Sequence, residues 1–175
     1  GGAEKLVFET LPIYKEKGIE VDVLVLNGTD YPFMTELKAL NCCKIYSLGT
    51  QSVYNPMNIF KIIPYFKKYD LIHVHLFPVQ YWVVIAKLIS FSKAKLIFTE
   101  HSTSNRRIAN NILVKYIDSF FYKNYTKIIC IAPEVLKVLH NHTSMQEQKF
   151  EVIQTGVNIM KIKNEIPPLK RVFFY

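Results

Sequence analysis

The chain carries an ordered series of strand-end signatures, and that series limits the possible fold more than any other feature. Gly1-Gly2-Ala3-Glu4 comes first, followed by Asp70-Leu71-Ile72-His73-Val74-His75, Thr99-Glu100-His101-Ser102, Ile128-Ile129-Cys130-Ile131-Ala132 and Gln154-Thr155-Gly156-Val157-Asn158. Each sets a short polar or glycine-containing tail where an apolar run stops. In an open α/β sheet the loops at the carboxyl ends of parallel strands meet in a crevice, and ligands collect there. The series therefore predicts that function sits on these tails.

Helical and strand patterns alternate along the chain. Val7, Leu11 and Tyr14 fall at helical spacing behind the opening glycines and predict a helix closed by Gly18 and kinked at Pro12. Val21 to Leu26 reads as a buried strand ended by Asn27-Gly28, Phe33 to Leu40 as a short helix, and Lys44 to Leu48 as a strand. Asn58 to Lys68 reads as a helix kinked at Pro64, Leu71 to His75 as a strand, and Pro78 suits the first turn of a helix running to Phe91. Lys95 to Thr99 is a strand, Arg106 to about Asn124 a long helix, and Lys127 to Ile131 a strand. Pro133 to Leu139 is a helix, and Phe150 to Gln154 the last clear strand. Near-continuous Val, Ile and Leu strands separated by helices predict an α/β fold: a doubly wound, mostly parallel sheet with helices on both faces. The pattern breaks at Asn164-Glu165-Ile166-Pro167-Pro168, so one domain is expected over 1–163. The basic-then-apolar stretch within 164–175 reads as a linker and the truncated start of a second domain.

Composition narrows the class further. A chain of 175 residues is large enough for one well-buried core and too short for two ordinary domains, and with half its residues apolar it can offset the entropy of ordering. The net charge of +8 favours anionic partners, phosphates and acidic lipid surfaces among them, although scattered lysines equally read as a solvated surface. No block of five like charges and no nucleic-acid motif occurs, so no nucleic acid is expected as partner. Cys42, Cys43 and Cys130 give neither a disulfide framework nor a zinc spacing and fit a reducing cytoplasm. Neither a cofactor nor a metal is expected. The longest apolar stretch, Leu76 to Phe91, is broken by Pro78, Gln80 and Lys87 and falls short of the roughly 20 residues that span a bilayer.

Taken together in this order and spacing, Gly1-Gly2-Ala3-Glu4, Asp70 to His75, Thr99-Glu100-His101 and Val152 to Asn158 resemble the amino-terminal half of family-4 retaining glycosyltransferases. The resemblance covers about nine-tenths of the chain. It implies a Rossmann-like acceptor-side domain of a two-domain GT-B enzyme. The second, carboxyl-terminal domain holds the nucleotide-sugar and a paired-glutamate motif. It implies transfer of a sugar from a nucleotide-sugar donor to a saccharide or lipid-linked acceptor, in surface polysaccharide or glycolipid synthesis, with this chain inactive by itself. The chain departs from the family pattern in having no strand before Gly1 and in carrying Gln154-Thr155 where Pro-Asn is usual.

Site candidates follow from both readings. Gly1 and Gly2 before a helix allow backbone amides to approach a diphosphate; the alternative is a plain helix start. His101, two residues beyond strand residue Thr99, is the candidate catalytic residue. The resemblance places it near the transferred sugar, where an imidazole of near-neutral pKa can bond a hydroxyl or support developing charge. Glu100 and Ser102 beside it are substrate-binding candidates, with Ser102 alternatively a helix cap. His73 and His75 share one strand face; His73 is read as structural and His75 as lining the cleft. A rival reading takes His73, His75 and His101 as the metal site of a hydrolase fragment. His140 and His142 read as helix caps. Arg106 and Arg107 are candidates for an anionic acceptor. The mix of basic and aromatic residues from Arg106 to Tyr125 suits either an anionic membrane or an amphipathic helix with its aromatic stripe in the core. The first reading makes the protein peripheral at the inner membrane face. A free-standing Rossmann-like ligand-binding or interaction domain is the alternative of a different class.

In domains of this resemblance the strand before the Gly-Gly opening lies at the centre of the sheet, between those formed here by Val21 to Leu26 and Leu71 to His75. An empty central slot would leave backbone groups unpaired at roughly 1–3 kcal/mol each. Three answers are open: an upstream segment fills the slot, the flanking strands close up, or another extended segment is inserted. Val172 to Tyr175, an apolar strand candidate, is available for the third from its own chain or from a neighbouring copy, and either poor stability or this substitution is expected.

Overall fold

The computed structural model describes residues 2–101, 112–154 and 171–174. The chain order is α1 (Gly2–Glu16), β1 (Val21–Val25), α2 (Pro32–Ala39), β2 (Ile45–Ser47), α3 (Asn58–Ile62), β3 (Leu71–Val74), α4 (Val79–Ser90), β4 (Lys95–Glu100), α5 (Ile112–Lys123), β5 (Lys127–Cys130), α6 (Pro133–Thr143), β6 (Phe150–Val152) and β7 (Arg171–Phe174). Pro64 turns the end of α3 into a 3-10 turn over Ile63–Lys67, because a residue without an N–H cannot continue the α ladder. Pro12, by contrast, is carried inside the continuous helix α1. Gly18 then ends the segment with φ +68, a conformation that favours glycine.

All seven strands among the described residues are parallel, in the order β2-β1-β7-β3-β4-β5-β6. β7 is last in sequence and central in space. Arg171 is paired with Val21 of β1 on one side and with Leu71 of β3 on the other, and Phe174 with Leu24 and Val74. The central slot is therefore filled by this chain's own 171–174. That segment, whose apolar run was expected either to open a second domain or to donate a strand, is part of this sheet. β6 lies four strand positions away, about 19 Å. The 19 residue steps from Val152 to Arg171 reach about 60 Å when extended, ample for the crossing.

Strand alternation divides the core between the two faces. Val21, Val23 and Val25 pack under Val7 and Leu11 of α1 and Met34 and Leu37 of α2. Leu24, Ile72, Val74, Leu96, Phe98, Ile128 and Cys130 face the larger layer of α3, α4, α5 and α6. Parallel strands with helical crossovers bring β3, β4 and the start of α1 to one edge of the sheet, the carboxyl edge.

Candidate functional site

The register decides which side chains meet at that edge. Val23, Phe173, His73 and Ile97 form one row across β1, β7, β3 and β4, so His73 shares a face with the α1-covered valines. Thr99, two residues past Ile97, shares that face, and the His73 Nε2 to Thr99 Oγ1 distance of 2.7 Å ties the ends of β3 and β4 together. His75 follows on the same side, its ring 4.2 Å from that of His73. Beyond it, His75 Nδ1 lies 3.3 Å from His101 Nε2, with rings 5.5 Å apart. Thr99, His73, His75 and His101 thus run as a chain from inside the sheet to its carboxyl edge.

Burial sets the charge state of His75 and His101. The His75 imidazole, buried between two other histidines, is held well below its ordinary value, first by desolvation and then by its neighbours. Burial also pulls the half-buried His101 down, to about 4. The near-neutral titration expected of His101 is therefore replaced by an imidazole that is neutral at pH 7. A neutral imidazole has one N–H donor and one lone pair, so one of His75 and His101 donates to the other. What the pair offers a ligand is directed hydrogen bonding without charge. The three histidines do not form a ligand set as they stand: the contacts with Thr99 and between His75 and His101 use ring nitrogens, and no metal-ligating group of three occurs among the described residues.

Glu100 takes the opposite face from Thr99 because alternate strand residues point to opposite sides. Its buried carboxylate accepts a hydrogen bond from Tyr122 Oη of α5 at 3.3 Å. With burial, it also raises the thiol of its strand partner Cys130 to about 12. Glu100 is thus placed in the helix-covered layer, behind the histidines. Gly2 opens α1 with open space where a Cβ would project. α1 leads back through Gly18 to the start of β1, so its first turn stands at the carboxyl edge, on the histidine face. Gly1, Ser102, Arg106 and Arg107 lie outside the described residues.

Three features escaped the sequence reading. Asn27 Oδ1 accepts hydrogen bonds from Thr29 N and Oγ1 at 3.0 and 2.6 Å, shaping the tail of β1, where Gly28 passes so close to Ser47 that a Cβ would meet its Oγ at 2.1 Å. Gln80, in the first turn of α4 just past His75, is fully buried with neither side-chain amide atom hydrogen-bonded. His142 is no helix cap: its Nε2 donates to Asp118 Oδ2 at 2.7 Å in the α5–α6 interior, and Tyr81 Oη donates to the other carboxylate oxygen. A sequence without its fold gives no sign that residues 24 apart on two helices will meet. At the opposite, amino edge, an open cleft of about 910 Å³ is lined by Lys15, Asp22, Cys43, Lys44, Tyr46 and Tyr69. Asp22 there accepts from Tyr69 Oη at 2.5 Å and from Lys44 N at 3.0 Å. The cleft borders the amino end of β1, where β7 also begins.

Comparison with known proteins agrees with this architecture. The family model described as Glycosyltransferase Family 4 matches residues 1–161. Among solved structures, Anabaena Alr3699/HepE, determined in complex with UDP and glucose, superposes with a TM-score of 0.67 at 16% identity, over 91% of this chain and 42% of that one. The chain therefore spans less than half the length of that protein. At this identity the likeness is one of fold. No curated protein matches the chain in sequence.

Proposed function

Because the chain belongs to glycosyltransferase family 4, we propose that it forms the acceptor-side domain of an enzyme that moves a sugar from a nucleotide-sugar donor to a saccharide or lipid-linked acceptor, with retention of configuration, in surface polysaccharide or glycolipid synthesis. The observation that carries this reading is the pair of uncharged imidazoles, His75 and His101, at the carboxyl edge, where open α/β sheets bind ligands. Sugar hydroxyls ask for oriented donors and acceptors rather than charge, and a neutral His101 held by His75 through Nε2 keeps Nδ1 to give or to take one such bond. In the same reading Gly1 and Gly2 at the start of α1 meet the donor phosphates. Ser102, Arg106 and Arg107 contact the acceptor, and Glu100 braces the end of β4 against α5 through Tyr122. A second domain outside these 175 residues holds most of the donor, a division supported by the 42% of HepE that the chain spans. HepE's UDP and glucose support a nucleotide-sugar as the donor class.

The test is turnover of a nucleotide-sugar, read as released nucleoside diphosphate, by this chain alone and by the chain joined to a donor-binding domain. Turnover is expected only in the joined protein. His101→Ala there should lower turnover roughly a hundredfold while leaving donor affinity near its starting value. A folded His101→Ala enzyme with unchanged turnover overturns the role assigned to His101.

A further inference from the structure

Two aromatic side chains stand exposed at the carboxyl edge although the structure fixes each of them from behind. Tyr54, in the loop that follows β2, is 61% exposed, and Phe77, in the loop that follows β3, is 40% exposed. Their rings lie 6.0 Å apart and are inclined at 62°, so they meet as a corner. Phe77 comes two residues after His75, which keeps its Cα within roughly 7 Å of the Cα of that histidine.

Adjacent residues of α4 secure the two rings. The Tyr81 ring packs edge-on against Phe77 at 5.8 Å and 88°, and Tyr81 Oη in turn donates to Asp118. Trp82 Nε1 donates to Val53 O at 2.9 Å, immediately before Tyr54. Asn58, buried at the start of α3, donates through Nδ2 to Ser52 O and Val53 O at 3.3 and 3.4 Å, while its Oδ1 stays buried without a partner. Ser52 Oγ accepts from Tyr54 N at 3.2 Å, and Asn55 Nδ2 donates to Gln51 Oε1 at 2.5 Å. A loop bonded at so many points loses little freedom when a ligand arrives, and a ring carried on it is preorganised for contact.

The chemistry of this corner selects its occupant. The two segments that build it, Leu48 to Phe60 and Leu71 to Ala86, contain no Asp, Glu, Lys or Arg, in a chain of net charge +8. Charged side chains elsewhere on the carboxyl edge are engaged or turned away. Lys61 Nζ donates to Leu48 O at 2.9 Å, Asp30 in the tail of β1 pairs with Lys38 at 2.7 Å, Glu100 is buried, and Glu4 belongs to α1 on the histidine face. An ionic ligand therefore finds no counter-charge at the two rings. A pyranose ring matches both parts of the surface. Its axial C–H groups carry slight positive charge and rest on the negative face of an aromatic ring, and its hydroxyls meet the neutral polar groups of Gln51, Ser52 and Asn55 beside Tyr54. An isoprenoid or acyl chain would match the rings and leave those polar groups covered but unbonded.

We propose that Tyr54 and Phe77 form a stacking subsite for a neutral sugar ring of the acceptor, beside the ring that meets His101, so that the acceptor is an oligosaccharide. The subsite rests on the transferase reading and adds to it the chemical class of the acceptor.

The experiment is a titration of the 175-residue chain with glucose, cellobiose, cellotriose and geraniol, followed by the NMR signal of the Trp82 indole N–H. Trp82 is the chain's single tryptophan, and its bond to Val53 O places the probe one residue from Tyr54. The β-linked glucosides are chosen because all their ring hydrogens are axial and present an unbroken C–H face. Cellobiose and cellotriose should shift the signal and bind more tightly than glucose, with geraniol leaving it in place. Tyr54→Ala should weaken cellobiose binding roughly fivefold at an unchanged unfolding midpoint, and Tyr54→Phe should restore it, because the ring makes the contact and the hydroxyl does not. No shift with either oligosaccharide, full affinity in Tyr54→Ala, or geraniol shifting the signal in place of cellobiose would each overturn the proposal. The titration contains no donor, so its failure leaves sugar transfer standing. A joined enzyme without turnover, alongside cellobiose binding that depends on Tyr54, would instead count against the transferase reading.

Discussion

On one face of the sheet, two helices cover β1 with aliphatic side chains, and the histidines of β3 and its tail lie on that same face toward the carboxyl edge. On the other face, four helices build a thick layer in which Glu100 and Asp118 are enclosed by aromatic partners. Both faces bury histidine, but with different neighbours. His73 and His75 meet a hydroxyl and other imidazoles, whereas His142 meets a carboxylate. A buried carboxylate fixes an imidazole as one part of a closed scaffold. An imidazole held by other uncharged groups keeps its direction and stays neutral, which suits a group that meets a ligand. In the proposed reading the thinner face meets the ligand, while the closed contacts of the thicker one give rigidity.

The largest expected effect comes from the strand that both faces share. Ending the chain at Lys170 removes β7 and strips pairing from β1 and β3 at once. Several buried backbone groups left unpaired at roughly 1–3 kcal/mol each would consume a typical stability of about 5–15 kcal/mol. The shortened chain should show no cooperative thermal transition, and amide exchange should be fast in β1 and β3. An unchanged unfolding midpoint would mean that the two halves of the sheet close up without β7.

Next in size is the carboxylate of the thicker face. Asp118→Ala abandons both the His142 and Tyr81 contacts in a site where Asp118 itself is 1% exposed, and should cost about 3–5 kcal/mol. His73→Ala on the other face should cost less, because Thr99 can turn its hydroxyl to another partner. Chemical denaturation of the two variants measures the difference, and a larger loss for His73→Ala would reverse the contrast between the faces.

The neutral imidazoles make a pH prediction. His101 binds its proton near 4 when folded and near 6.5 when unfolded, so between those values the unfolded chain holds more protons. The stability contributed by keeping the ring neutral is complete above pH 6.5 and declines as pH falls toward 4; His75 acts in the same direction. His101→Gln should flatten this part of the stability profile. A profile that keeps its full slope in the variant would place the titration elsewhere.

The fold was legible in sequence because its signals are local. Apolar runs ending in polar tails marked β1, β3, β4, β5 and β6 within one or two residues, and Gly18 and Pro133 marked helix ends. Val172 to Tyr175 was recognised as a strand candidate from its composition, and its slot from what the family resemblance implies about the centre of the sheet. The period-two rule placed His73 and His75 together on one face. The same rule, applied to Thr99 and Glu100, separates Glu100 from the histidine face, but only once the inward side of β4 is known. Pairings between distant segments stayed hidden: the Asp118–His142 bond depends on how α5 packs on α6, and the low pKa of His101 depends on burial that no spacing expresses. The aromatic stripe of α5 was ambiguous for the same reason, since an amphipathic pattern does not say which of two apolar flanks meets the core.

The smallest effect, and the one with the opposite sign, concerns Gln80. It sits in the first turn of α4, just past His75, and its buried side-chain amide lacks hydrogen-bond partners although its backbone carbonyl accepts from Tyr125 Oη at 2.8 Å. A buried amide left unbonded costs roughly 1–3 kcal/mol, and an apolar side chain of the same length avoids that cost. Gln80→Met should therefore raise stability by about 1 kcal/mol, or roughly 2–4 °C in Tm for a chain of this size. If the amide is retained for a ligand at the carboxyl edge, the same variant should also lower turnover in the joined enzyme, trading activity for stability. A Gln80→Met protein less stable than the parent would show that the amide is bonded in solution, and Gln80 would then belong with Asp118 in the scaffold.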